Sequence, residues 1–237
     1  MQQHDFQAGA VLLIDKPLEW TSFDVVNKVR YALRKALGVR KIKVGHAGTL
    51  DPLATGLLIL CTGKFTKKID SYQALYKVYD GHFQLGATTP SYDAETAIEQ
   101  QFDISALSPE KIKNALPQFL GEIEQVPPMF SAIKVNGQPL YKKARAGEKV
   151  RVKSRQVTID RFELPKIEAN GRVEFEIQCS KGTYIRSLVH DFGKALDNGA
   201  YLTKLRRTHI GAYSLEDAWN LEELIEHIKN NYQADPA

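Results

Sequence analysis

The chain has 237 residues, of which 43% are hydrophobic and 25% charged, and its formal net charge is only +4. That is the composition of a globular protein able to bury a core, and it excludes a disordered, collagenous or disulfide-framework chain. The apolar run Val11 to Ile14 is too short to cross a bilayer and Met1 to Ala10 has no basic-then-apolar leader pattern, so a cytoplasmic protein without a membrane partner is expected.

Taken in chain order, Val11 to Ile14 reads as a buried strand stopped by Asp15-Lys16-Pro17, because proline cannot donate to a ladder. Ser22 reads as an N-cap, and Val25, Val26, Val29, Leu33, Ala36 and Leu37 recur at helical spacing, so a helix is expected over 23–37 with Gly38 as its stop. Residues 45–56 look like a loop, followed by a strand over 57–62. Tyr79, Gly81, Phe83 and Leu85 alternate as a half-buried strand should. Ser108-Pro109-Glu110 starts a helix, with Ile112, Ala115, Leu116 and Phe119 on its apolar face. Strands over 157–164 and 172–179, a helix over 185–196 and an acidic amphipathic helix over 221–230 complete the series. Without a regular βαβ rhythm, the expected class is α+β with a mixed, mostly antiparallel central sheet.

Charge is segregated along this series. Val25 to Leu50 holds seven basic residues and no acidic one, while Lys134 to Arg155 holds eight, Lys149 among them, against Glu148 alone. The end of the chain from Ser214 is acidic, through Glu216, Asp217, Glu222, Glu223, Glu226 and Asp235 against Lys229. Such clusters either attract phosphates by counterion release or are ordinary solvated faces. Cys61 and Cys179 lack any second ligand at metal spacing, so free buried thiols and no metal site are expected. No phosphate-binding glycine turn is present for a nucleotide cofactor.

The most unusual stretch is Gly45-His46-Ala47-Gly48-Thr49-Leu50-Asp51-Pro52-Leu53-Ala54-Thr55-Gly56, which frames one carboxylate and one imidazole with glycines and a proline. On residue chemistry alone it is better read as a structural turn. The block resembles the signature motif of the TruB pseudouridine synthases. Leu13 to Pro17 with Trp20-Thr21-Ser22 is similar to that family's Lys-Pro motif, Tyr79 before Leu85-Gly86 to its tyrosine motif, and Cys179 to Arg186 to its late motif. Val126-Pro127-Pro128, Ser131 to Lys134 and Leu205-Arg206-Arg207 also match in order, from about Leu12 to Leu215.

The resemblance implies a cofactor-free isomerase of the pseudouridine synthase fold, with a catalytic domain over 1–215 and a short acidic helical extension over 216–237 in place of the PUA-type domain many members carry. It implies a tRNA partner, with the uridine at position 55 of the T-loop as substrate and a monomer as the working form. Asp51 would be the catalytic group, as a nucleophile or as the base removing a sugar proton. Because a dry pocket disfavours a carboxylate's charge, a cation is expected beside it, and the motif assigns Arg186. Tyr79 and Tyr184 would wall the pocket, Leu205 would line its floor, and His46 would fill the gap left by a flipped base. Lys16 would buttress the site and Asp93 would contact the displaced nucleotide. The competing readings are a non-catalytic RNA-binding or RNA-folding module using the same pocket, and a glycosidic hydrolase. The hydrolase would need a second carboxylate near Asp51, which no other motif offers.

Overall fold

The computed structural model describes residues 5–148 and 150–232, so Lys149, Asp235 and the first four positions of the N-terminal reading lie outside the described residues. The first half of the chain forms β1 (Val11–Lys16), α1 (Ser22–Ala36), β2 (Val44–His46), β3 (Ala54–Thr62), α2 (Ile69–Ala74), β4 (Lys77–Leu85), β5 (Ala87–Thr88), β6 (Gln100–Gln101) and α3 (Pro109–Asn114). The second half adds β7 (Gly121–Gln125), β8 (Lys134–Val135), β9 (Gln138–Pro139), α4 (Leu140–Arg145), β10 (Arg155–Ile167), β11 (Arg172–Cys179) and α5 (Ile185–Ala195). It ends with β12 (Ala200–Ile210), β13 (Tyr213–Ser214), β14 (Trp219–Asn220) and α6 (Leu221–Asn231). Two compact units result, one running up to Tyr79 and resuming at Arg206, the other covering Asp80–Leu205, so β4 and β12 each contribute to both.

In the first unit β3 is the central strand. It pairs antiparallel with β1, Val11 opposite Cys61 through Lys16 opposite Gly56, and with β2, Val44 opposite Thr62. The short β14 joins β1 in parallel, and β13 pairs antiparallel with the end of β12. Leu58 and Leu60 face one core with Leu12, Ile14, Val25, Val29, Leu33, Leu224 and Ile228, whereas Leu57, Ile59 and Cys61 face another with Ala47 and Ile210. A strand covered on both faces must be apolar at every position, which is why Leu57 to Cys61 shows no alternation. Each such side chain removed from water stabilises the fold by about 1.5–3 kcal/mol.

The apolar stripe of α1 lies where its periodicity predicts, but its cap does not. Thr21 is the N-cap, its hydroxyl accepting the Asp24 N–H at 3.0 Å while the Asp24 carboxylate accepts the Thr21 N–H at 2.9 Å. The Thr21 hydroxyl, which also donates to the Asp24 carboxylate, and then the Thr21 N–H hold the Asp24 carboxyl below the usual carboxylate range. Ser22 is the first helical residue, and its hydroxyl is free for another task.

The second unit is built on β10, which pairs antiparallel with β11 and β7. Its register with β11 slips between Glu163 and Lys166, around Pro165, which has no N–H to give a ladder. Phe192 of α5 packs with its ring centroid 5.7 Å from Phe83, 5.5 Å from Phe119 and 5.4 Å from Phe162. The helix after Ser108 is shorter than its apolar face suggested: the cap is as expected, but the turn containing Pro117 continues only as a 3-10 segment over Leu116–Phe119. The strands β2, β7 and β12, and the two-residue strands β5, β6, β8, β9, β13 and β14, are additions to the expected set. The architecture is α+β with a mixed, mostly antiparallel sheet. Both cysteines are free and buried, no helix is long and apolar enough to cross a membrane, and no group of three or more metal-ligand side chains occurs among the described residues.

Candidate active site

The Gly45 to Gly56 motif begins in β2, crosses the open segment 47–53 and enters β3. Such a segment has few partners in regular structure for its peptide groups, and they are found elsewhere. The Ala47 N–H donates to the Ile59 carbonyl at 2.9 Å and the Ala54 N–H to the Asp51 carbonyl at 3.0 Å. Ser22 takes both polar groups of Leu50, its Oγ accepting from the N–H at 2.9 Å and donating to the carbonyl at 3.2 Å.

Two buried cations reach further carbonyls of the motif and its flanks, and the Glu19 N–H donates to the Pro52 carbonyl at 2.8 Å. Arg207, on β12 and 1% exposed, donates from Nε to the Leu57 carbonyl at 2.8 Å and from Nη2 to the Gly48 carbonyl at 3.1 Å. Lys16, at the end of β1 and fully buried, donates from Nζ to the carbonyls of Pro17 at 2.7 Å, Trp20 at 2.6 Å and Pro52 at 3.4 Å. Burial pushes the Lys16 ammonium down to about 8, opposed by the negative charge of Asp51 and reinforced by Arg207. Asp51 itself is half-buried. Lys16 thus ties together the carbonyls of the two prolines that flank this region, Pro17 and Pro52.

Glycine is required where the motif meets Arg207. Gly56 has φ +100°, and a Cβ there would stand 2.7 Å from the Arg207 backbone nitrogen and closer still to its carbonyl oxygen. His46, half-buried at the end of β2, has its pKa lowered by burial and by the Arg207 charge, and its Nδ1 is buried without a hydrogen-bond partner. Beside the loop, Arg206 grips Asp15 with both terminal nitrogens, at 3.2 and 2.7 Å, and reaches the Thr55 hydroxyl at 3.2 Å. Tyr79 closes the first unit's share of β4 and is buried.

The remaining candidates lie in the second unit. Tyr184 precedes α5, and Gln125 fixes its backbone at both ends, accepting its N–H at 2.7 Å and donating to its carbonyl at 3.1 Å. The Arg155 guanidinium stands 5.3 Å from the Tyr184 ring centroid. Arg186, in the first turn of α5, is 3% exposed and so is not a surface arginine. Its Nη1 donates to the Ser91 carbonyl at 3.1 Å, its Nη2 to the Phe130 carbonyl at 2.9 Å, and its Nε stands 3.5 Å from the Asp93 carboxylate. The structure thus brings Arg186 and Asp93 together and places Asp93 among buried protein groups. Leu205 is buried on β12.

The basic clusters divide between the units. Arg34, Lys35, Arg40, Lys41 and Lys43 of the first are exposed, but Arg30 turns back onto Asn27 and the Val44 carbonyl. In the second, Lys134, Lys142, Arg151 and Lys153 are exposed, whereas Lys143 pairs with Glu148 at 3.0 Å and Arg145 with Glu95 at 2.7 Å. Sequence reasoning singled out neither Ser22 nor Gln125 as a site residue. It placed Arg207 only within a motif, since nothing local in Arg206-Arg207 says which of the two is buried.

With this geometry in place, the fold is that of the pseudouridine synthases. A solved Cbf5-Nop10-Gar1 complex matches with a TM-score of 0.70 and 29% identity, covering 93% of this chain and 54% of that one. An H/ACA RNP bound to a substrate RNA containing 2′-deoxyuridine matches at a TM-score of 0.66 and 27% identity, covering 93% of this chain and 53% of that one, so the chain spans about half of either protein. The TruB family pseudouridylate synthase N-terminal domain matches residues 34–185, and the tRNA pseudouridylate synthase B C-terminal domain matches residues 186–236. The tRNA pseudouridine synthase B of Flavobacterium johnsoniae is 55% identical over 230 residues, 97% of this chain and 100% of the relative. That of Phocaeicola vulgatus is 51% identical over 225 residues, 94% of this chain and 95% of the relative. The chain belongs to the TruB family of pseudouridylate synthases.

Proposed function

We propose that this enzyme converts uridine to pseudouridine in tRNA, at position 55 of the T-loop, with Asp51 as the catalytic group and the target nucleotide turned out of its stack. Support comes from family membership and from relatives named tRNA pseudouridine synthase B that match over nearly their whole length. The observation that carries the reading is the bracing of the Asp51 loop by Ser22, Lys16 and Arg207, since catalysis by one carboxylate depends on holding it in a fixed place.

The reaction breaks the bond between the sugar C1′ and N1, turns the base, and joins C1′ to C5. The proton on C5 leaves and N1 takes one up, so atoms balance with no oxidant or reductant. Asp51 acts as the nucleophile in bond cleavage or as the base that removes a sugar proton. Tyr79 and Tyr184 supply aromatic surface for a base that has lost its neighbours, with Leu205 as apolar floor. His46, kept neutral by burial, occupies space in the disturbed stack. Arg186 is the cation that the family resemblance assigns to the Asp51 carboxylate, and Asp93 in turn orients its guanidinium.

Mass spectrometry of tRNA after carbodiimide labelling and alkaline treatment, which leaves the label on pseudouridine and removes it from uridine, tests the proposal. tRNA incubated with wild-type protein should retain label at position 55, and tRNA incubated with Asp51→Asn should retain none although the variant still binds it. Equal labelling by both would remove Asp51 from the chemistry, and binding without product from either protein would favour the RNA-binding module.

A further inference from the structure

Between β5 and β6, the segment around Asp93 is held by groups on α5. Arg186 takes the Ser91 carbonyl at 3.1 Å and stands 3.5 Å from the Asp93 carboxylate. Four residues along α5, on the same face of the helix, His190 stacks on the intervening residue, Tyr92, with ring centroids 3.8 Å apart and planes 12° from parallel. Consecutive residues of one turn are therefore met by side chains one helical turn apart.

Tyr92 carries φ +64°, the left-handed region that a residue with a Cβ enters only when its surroundings hold it there. Its dihedrals set the relation between the two groups that Arg186 contacts, because the Ser91 carbonyl precedes it and Asp93 follows it. Backbone bonds secure the turn locally, with the Tyr92 N–H on the Thr89 carbonyl at 3.1 Å and the Leu202 N–H on the Tyr92 carbonyl at 3.0 Å. The ring stack adds a tie between this turn and the helix that bears Arg186. His190 suits it as a neutral ring, since burial and then the Lys194 charge take its pKa down to about 4.

We infer that the Tyr92 and His190 pair is a positioning device for the reaction, holding the turn so that the Ser91 carbonyl and the Asp93 carboxylate fix the Arg186 guanidinium. Neither ring need touch the substrate. The inference rests on the proposed part of Arg186 in the active site.

Steady-state kinetics on tRNA with Tyr92→Gly, Tyr92→Phe, His190→Ala, His190→Phe and Arg186→Lys test it. Glycine accepts the backbone conformation without strain, so Tyr92→Gly removes the stack while relieving the turn. We expect Tyr92→Gly and His190→Ala each to lower kcat about three- to tenfold with KM within about twofold, the size of effect an aromatic pair can exert. The double variant should be no worse than either single one, because the two rings act as one unit. Both phenylalanine variants should keep wild-type kcat. Wild-type kcat from Tyr92→Gly or His190→Ala beside an impaired Arg186→Lys would overturn the inference and leave the site reading intact. A Tyr92→Phe enzyme as impaired as Tyr92→Gly would also overturn it. Full activity from Arg186→Lys would remove the role of Arg186 itself.

Discussion

Replacing Arg207 by methionine should loosen the Asp51 loop and destabilise the first unit together. The side chain is 1% exposed and gives charge-assisted bonds to the carbonyls of Leu57 at 2.8 Å and Gly48 at 3.1 Å. Methionine fills much of the volume but donates nothing, leaving two acceptors short of a partner at about 1–3 kcal/mol each. Part of that loss is offset because a guanidinium no longer has to be kept out of water. The net expectation is a loss of about 2–4 kcal/mol, which for a chain of this size lowers Tm by about 5–15 °C. Differential scanning calorimetry reads the first effect. A second readout is specific to this geometry: the Arg207 charge is one of the two causes that depress the His46 pKa, after burial, so the variant's His46 should titrate at higher pH by NMR, though still below an exposed histidine. An unchanged Tm together with an unchanged His46 titration would show that Arg207 does not hold the loop as described.

Two further outcomes follow from the same loop. Lys16 has a folded pKa of about 8 against 10.5 unfolded, so between those values the unfolded chain binds the extra proton and stability rises with pH. From pH 8 to pH 9, wild type should gain about 1 kcal/mol more than Lys16→Met in urea unfolding. The comparison with the variant removes the opposing term from Cys61, whose thiol is pushed up to about 11 by burial in both proteins; no difference between their pH profiles would refute the burial argument. Gly56→Ala meets the Arg207 backbone at φ +100° and should cost about 2–5 kcal/mol. Gly121→Ala, at φ +77° with nothing within 4 Å, should cost only about 1–2 kcal/mol. Equal losses in thermal melts of the two variants would mean that close approach is not what Gly56 serves.

The helices were legible because their residues repeat a face. Val25, Val26, Val29 and Leu33 mark α1, and Ile185, Leu188, Val189 and Phe192 mark α5, each to within about one residue of its observed ends. In contrast, β12 was not legible, since Lys204, Arg206 and Arg207 interrupt any alternation of apolar and polar side chains. Arg207 points inward only because two carbonyls more than a hundred residues earlier accept from it, and no local pattern encodes that. The cap of α1 was read one residue late because Thr21 and Ser22 are both competent caps; the Asp24 carboxylate three residues after Thr21 was the discriminating signal. At the site, the motif around Asp51 was legible through resemblance, but its bracing by Ser22 was not. Asp93 was expected at the nucleotide, and its burial against Arg186 could not be read from a residue that ordinarily lies at the surface.

Lys16, Arg186 and Arg207 share one arrangement that bears on how the enzyme works. Each is a buried cation on or beside a regular element, and each donates to carbonyls of irregular chain: Pro17, Trp20 and Pro52 for Lys16, Ser91 and Phe130 for Arg186, Gly48 for Arg207. Irregular backbone inside a protein has carbonyls that no helix or ladder satisfies. A lysine or arginine can serve two or three of them from one rigid point without forcing the loop into regular structure. Burying such a charge is costly, so the same cation is better placed where a negative group stands nearby, and the Asp51 charge does raise the Lys16 pKa against the effect of burial. At Lys16 the group that braces the Asp51 loop is therefore also the one whose charge interacts with the Asp51 carboxylate. An enzyme acting through Asp51 as proposed gains from that coupling, because position and charge are secured together before substrate arrives.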